Sequence, residues 1–448
     1  MPVFAERILI YIFATLNYLK HEKMRKLLLL FLFAGLISTG CDSTSDADTD
    51  NNTPPTEQNP DDSDDPNAPD NGDENDPNDP DNPDDPNNPN DPNDPNDPDG
   101  GEEQPGEEIP PVEKVEDELP DLPFEYDWAI VAADGTGDYT TLTDALRKVS
   151  GNKYHVIHIR PGVYYEKINM NRNRVILYGD DPETTILTYD DFSGNIKSNG
   201  KETGTQDSYS FAVNAQEFVA INVTFQNTHV NKSGSGDQAV AVGVYQDRAA
   251  FYNCRLTGYQ DTFYVKNEAR VYCKDCYIEG NVDFIFGDAA LLCENCTLCV
   301  NRNDSPITAP STSPKNPFGF VFRDCRITSI DGNDFNDKPI EKIYLGRAWK
   351  SGARAVYINC EEPANLSPDG WRTPMEETVK VDGVDKKVPA EVALFAEYKC
   401  TGEGATEERL SQRKNNGRQL TDEEAAEYTR ENIFMRSPAW DLIEPFSL

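Results

Sequence analysis

The chain has 448 residues, a formal net charge of −39 and 37% hydrophobic residues. So large an excess of acid disfavours nucleic acid and anionic membrane surfaces as partners. Ten cysteines are too few in a chain of this length for a disulfide scaffold, and setting aside Cys41 in the N-terminal segment leaves an odd nine.

The first element is an address. Met24-Arg25-Lys26 precedes an apolar run of 11 residues, Leu27 to Ile37, and then Ser38-Thr39-Gly40-Cys41. That order makes a secretory signal, and the run is too short to span a bilayer comfortably. A cysteine after small residues resembles a bacterial lipobox, with Ser38 where leucine is commoner. The resemblance implies lipidation of Cys41; the alternative is ordinary cleavage with Cys41 incidental. The apolar stretch Ile8 to Leu19 reads as sequence upstream of a true start at Met24, or else as an inner-membrane anchor. Residues 1–41 are thus read as targeting. They predict a secreted, lipid-anchored envelope protein at the outer membrane, facing the exterior or the periplasm, whose only membrane contact is the anchor. The acidic run from Asp42 to Asp46 resembles a surface-export signal.

Residues 42–120 read as a linker. Residues 42–110 hold 25 Asp and Glu, no Lys or Arg, and 15 of the 32 prolines. Such a stretch buries too little apolar surface to offset its ordering entropy, which predicts a disordered tether. At ~3.1 Å per residue its reach approaches roughly 200 Å. Repeats such as Asn90-Asp91-Pro92-Asn93 are read as spacer in preference to a loose Ca²⁺ site. The charge left for residues 111–448 is −17.

Residues 121–448 are read as one domain. Thr141-Leu142-Thr143-Asp144 predicts a helix start, and Thr421-Asp422-Glu423-Glu424 has capping-box spacing near the other end. Between them lie short strand-like runs, among them Val156 to Ile159, Arg174 to Tyr178 and Phe218 to Phe225. A phrase of Asn or Asp, then Cys, between apolar residues recurs at Cys254, Cys276, Cys296, Cys325 and Cys360, in steps of 22, 20, 29 and 35. A period of 20–25 residues without long helices predicts a solenoid with cysteine and asparagine ladders, and longer steps predict inserted loops. The spacings Cys273/Cys276, Cys293/Cys296 and Cys296/Cys299 have zinc-like form. Because Cys276 and Cys296 fall in the repeat phrase, buried ladder cysteines are expected instead, with room for a disulfide or two. No metal and no cofactor is expected. Asp331-Gly332-Asn333-Asp334 has incomplete Ca²⁺ spacing and reads as a loop.

Ester chemistry by Ser–His–Asp is poorly supported. Of the four histidines, His21 lies upstream of the expected start. His155 and His158 fall on opposite faces of one strand and read as packing or solvent residues; His229 remains. No G-x-S-x-G elbow occurs. Carboxylates are therefore the expected tools. Polar residues concentrate in Gly236-Asp237-Gln238, Gly258-Tyr259-Gln260-Asp261-Thr262 and Gly280-Asn281-Val282-Asp283-Phe284-Ile285-Phe286-Gly287. Gln238 to Gln260 and Asp261 to Asp283 are both 22 residues, the local coil period. The two aspartates should stack on neighbouring coils, which pushes their pKa values apart.

With Tyr344-Leu345-Gly346-Arg347-Ala348-Trp349, these segments resemble the pectin methylesterase family of carbohydrate esterases; the likeness runs from Val131 to the C-terminus. It implies an all-β, right-handed single-stranded parallel β-helix with short capping helices. It also implies hydrolysis of pectin methyl esters to pectate and methanol. Asp283 would be the nucleophile and Asp261 the general acid and base. Gln238 and Gln260 would be oxyanion donors, Arg347 the partner of Asp283, and Trp349, Tyr264 and Phe286 apolar platforms for sugar rings. Ala348 departs from the family, which often has proline there. The expected partner is methyl-esterified pectin, met by a monomer. The rival readings are a β-helix lyase or polygalacturonase, disfavoured by only two carboxylates and a paired arginine, and a non-catalytic glycan-binding protein.

Overall fold

Strand runs of three to seven residues, rich in Val, Ile, Phe and Tyr and broken by Asn, Asp and Gly, wind into stacked coils that each add one strand to each of three parallel sheets. The computed structural model describes residues 117, 120–230 and 237–443. Cys41, the targeting segment and nearly all of the predicted linker lie outside the described residues. The linker's end does not: Asp117 receives hydrogen bonds from His158 and Arg160.

One sheet has eleven strands and the other two have seven each. Every pairing between coils is parallel, as between Val175–Gly179 and Tyr154–Ile159, and the strand Ala353–Ile358 shifts register against Val392–Tyr398 between Ala353 and Arg354. The domain is a right-handed parallel β-helix. Side chains alternate across each strand, so the inward set of all three sheets, such as Leu177 and Phe251 of the eleven-stranded sheet and Phe263 and Leu256 of the two seven-stranded ones, forms one continuous core. The outward set of the eleven-stranded sheet is also covered, by Leu420, Tyr428, Ile433 and Phe434 from the C-terminal segment. Burial on both faces explains why its strands read as unbroken apolar runs.

Helices occur at the ends. Helix α1 (Leu142–Lys148) has Thr141 as N-cap, and Glu166 accepts from the Leu142 and Thr143 N–H groups at 2.9 and 2.8 Å. Helix α2 (Glu407–Leu410) is a single turn, α3 (Asp422–Ala426) carries the expected capping box at Thr421 and Glu424, and α4 (Arg430–Phe434) closes the eleven-stranded sheet.

The recurrent phrase acts as a corner. The residue before each ladder cysteine has positive φ, from 47° at Asn253 to 56° at Asp275. Asn and Asp visit that region more readily than most residues. Asn253 donates to Asn222 at 2.8 Å and Asn359 to Asp324 at 3.1 Å, so the side chains stack as an amide ladder. The nine described cysteines are buried free thiols, and none is paired in a disulfide. Cys400 adds a sixth rung, since Thr401 N–H donates to the Cys360 carbonyl and Lys399 holds the same positive φ, 49°. Among the described residues no group of three or more His, Cys, Asp and Glu converges as a metal site.

Candidate active site

Asp261 and Asp283 each sit two residues before a strand of one seven-stranded sheet, Phe263–Val265 and Ile285–Gly287. Phe263 pairs with Ile285, a step of 22 residues, so the aspartates stack on consecutive coils with backbones about 4.8 Å apart. Both adopt positive φ, 68° and 56°, which turns their side chains at a corner. The corners continue the ladder: Asp261 N–H donates to Val282 O at 3.3 Å and Asp283 N–H to Pro306 O at 2.8 Å. Gly287 ends this run with φ 126°, and a Cβ there would meet Val265 O at 1.8 Å, so only glycine lets the coils close up.

The glutamines stack as their 22-residue spacing predicts. Ala239 N–H bonds the Gln260 carbonyl at 3.1 Å, just as Asp261 N–H bonds Val282 O on the next coil, so Gln238 is level with Gln260. The step shortens to 21 only beyond them, at Val242/Phe263, where Ala241 and Val242 N–H both bond Thr262 O. Both glutamines line one cleft, of about 550 Å³, with Asp261, Asp283, Arg347 and Trp349.

Arg347 follows the strand Ile343–Gly346, and its N–H donates to Thr308 O at 2.9 Å. Its Nε lies 3.0 Å from Asp283 Oδ1 and its Nη2 donates to Oδ2 at 2.6 Å, a two-pronged pair. Tyr264 and Phe286 occupy paired positions on adjacent coils, and their rings stack at 4.3 Å and 7°. Tyr264 is only 1% exposed and Phe286 4%, so they form a floor rather than open platforms. Half-buried Trp349 stands edge-on to them, 5.8 Å from Phe286, with the Lys350 ammonium 5.1 Å from its ring centroid.

Burial raises both aspartates, and the Asp283 charge adds to the rise at Asp261, which lies well above the ordinary carboxylate range. At Asp283 the Arg347 pair and the Arg372 charge oppose burial, and the net rise is smaller. The Arg347 guanidinium is itself raised by Asp283, despite its burial. The first proton therefore leaves Asp283, and Asp261 holds the second. A carboxyl paired with a guanidinium thus sits beside a second carboxyl whose surroundings favour its protonated form, with two glutamines lining the same opening.

The histidines stand elsewhere. His155 and His158 are both buried; His158 bonds Asp117 and, at 2.7 Å, Asp180. His229 stacks on Phe192 at 3.8 Å. Sequence reasoning missed Gly204 to Asp207 and Met375, which also line the cleft. Thr205–Asp207 form a single 3₁₀ turn between coils, and neither it nor Met375 has a repeat phase, so no periodic signal marks them.

Fold and site place the chain among the carboxylic ester hydrolases built on a parallel β-helix. A family profile described as Pectinesterase matches residues 128–437. Pectinesterase 31 of Arabidopsis thaliana is 34% identical over 312 residues, which cover 68% of this chain and 90% of the relative. A probable pectinesterase/pectinesterase inhibitor of the same plant is 37% identical over 252 residues, 54% of this chain and 36% of the relative. A second such protein is matched over 41% of its length, so the chain spans well under half of these longer relatives. A pectin methylesterase structure from Erwinia chrysanthemi has 29% identity and a TM-score of 0.59, covering 71% of this chain and 98% of that one. A pectin methylesterase solved with a hexasaccharide has a TM-score of 0.60 at 29% identity, with the same coverage of both chains. The chain belongs to the pectinesterase family.

Proposed function

We propose that the protein hydrolyses methyl esters of homogalacturonan, giving pectate and methanol. The observation that carries this reading is the buried pair of stacked carboxylates lining one cleft, Asp283 ion-paired to Arg347 and Asp261 forming no ion pair among the described residues. Asp283 attacks the ester carbonyl carbon, and the oxyanion receives hydrogen bonds from Gln238 and Gln260. Loss of one such donor costs about 10²–10³ in rate. As the C–O bond to the methoxy group breaks, Asp261 gives its proton and methanol leaves. The resulting anhydride on Asp283 is opened by a water whose proton returns to Asp261. Trp349, carried on Phe286 and Tyr264, meets the apolar face of a sugar ring.

The test is methanol release from highly methylated pectin by the protein and by Asp283→Asn, each with EDTA present. The wild type should be unaffected by EDTA, and the variant should fall by roughly 10³-fold or more. Undiminished release by the variant would remove Asp283 from its role; no release by a folded wild type would favour a glycan-binding protein.

A further inference from the structure

A two-stranded antiparallel hairpin, Glu376–Val381 and Val384–Pro389, stands apart from the three coil sheets. Its turn, Asp382-Gly383, has φ of 53° and 79°, the form that matches strand twist. Isolated hairpins are marginal in water, so its two faces matter. Cross-strand partners Glu377/Val388, Val379/Lys386 and Val381/Val384 point to one side. Glu376/Pro389, Thr378/Lys387 and Lys380/Asp385 point to the other. One face thus carries four valines, and at its tip Val381 is 38% and Val384 60% exposed.

The valine face has a direction. Glu377, on that face at the base, accepts from Ser351 N–H at 3.2 Å and from the Ser351 hydroxyl. Ser351 lies two residues past Trp349. Met375, directly before the first strand, lines the catalytic cleft, and its N–H bonds the Ala348 carbonyl at 2.8 Å. The apolar stripe therefore continues the cleft from its Met375–Trp349 edge. Six residues per strand extend it by about 20 Å. A chain leaving the cleft along this edge meets valine side chains and one lysine, Lys386, rather than a row of cations. The −17 charge of residues 111–448 also disfavours an anionic chain there. Esterified sugar residues, with their methyl groups and neutral carboxyls, fit that surface better than free galacturonate.

We propose that this hairpin is a second polysaccharide contact, an arm whose valine face binds methyl-esterified residues of a chain held in the cleft. The inference rests on the methylesterase reading above. The arm acts on polymer length and esterification, and does not touch the reacting ester.

The test uses Val381→Ser/Val384→Ser, two exposed positions whose change leaves the coils intact. kcat/KM is measured on highly methylated polymeric pectin and on a methylated trigalacturonate too short to leave the cleft. The polymer value should fall about fivefold through KM, with kcat and the trimer values unchanged. Equal polymer values in the two proteins, or an equal loss on polymer and trimer, would overturn the arm. If the wild type releases no methanol from either substrate, the methylesterase reading fails by itself. Retardation in a methylated-pectin gel then decides the arm, which stands if the double variant migrates faster and falls if it does not. Sedimentation covers the remaining occupant: a wild-type dimer lost in the variant would assign the valine face to a second copy of the chain.

Discussion

At Asp261 stability and the proposed catalysis pull apart. It is 8% exposed, its carboxyl makes no ion pair among the described residues, and burial with the neighbouring Asp283 charge raises it well above an ordinary aspartate. An acid with a raised folded pKa binds its proton more tightly in the folded state. Its contribution to stability is complete below the ordinary value near 4 and is lost as pH rises toward the folded value. Asp261→Asn removes that loss and keeps the shape. The variant should melt higher than wild type at pH 7, the two curves should converge near pH 4, and turnover should fall by roughly 10²–10⁴-fold. Thermal unfolding at the two pH values, with methanol release alongside, reads all three. A variant that melts lower at pH 7 would mean that ionised Asp261 is satisfied by the folded protein and is no proton donor.

At the scale of the element, the corner residue decides how much of the coil could be read in advance. Five corners are written Asn or Asp before Cys, and there the sequence names the ladder rung by rung. The sixth, Cys400, is preceded by Lys399, whose positive φ of 49° no composition rule announces. Likewise the 22-residue step places Asp261 on Asp283 and Gln238 on Gln260, but it does not show that the step falls to 21 at Val242, where Ala241 and Val242 N–H both bond Thr262 O. A spacing counted between motifs cannot detect a bulge beyond them. The cleft lining at Gly204–Asp207 was illegible for a related reason: it is a single 3₁₀ turn between coils, set by tertiary packing and not by period. Asn295 tests the physics of the corner. It has φ 53° and donates to Asp275 at 2.5 Å. Asn295→Ala loses that bond and leaves a Cβ, without the amide that offsets its strain, in a region that costs about 1–2 kcal/mol. Asn295→Gly loses the bond but also removes the strained Cβ. Urea unfolding should therefore rank glycine above alanine, the reverse of the usual order in a strand; alanine equal to glycine would show that the backbone is unstrained there.

Over the whole molecule, a solenoid is held by neighbour-to-neighbour contacts, and its ends need separate means. At the C-terminal end that means is a charge cluster. Glu362 and Glu397 are both fully buried around Arg413, whose Nη2 lies 2.7 Å from each of them. These residues come from the segment after Cys360, the strand Val392–Tyr398 and the loop after α2, so the cluster ties together three pieces of the last coils. Two carboxylates and one guanidinium would leave a net negative charge buried, which is costly in a low-dielectric interior. Burial first and the Glu397 charge second raise the pKa of Glu362, which favours a proton there, and its Oε1 has no hydrogen-bond partner among the described residues. The sign matches that at Asp261: stability is complete below the ordinary glutamate value near 4.3 and is lost as pH rises toward the folded value. Glu362→Gln keeps an amide where the acid group stood and cannot lose a proton. Its melting temperature should exceed that of wild type by an amount that grows from neutral toward alkaline pH. Hydrogen exchange at high pH should open the wild-type strands around Glu362 and Glu397 before the central coils. A variant that melts lower than wild type at every pH would show that both glutamates are ionised and that Arg413 alone balances them, and the end of the solenoid would then have to be held by packing of Trp371 on Phe395, stacked at 4.1 Å.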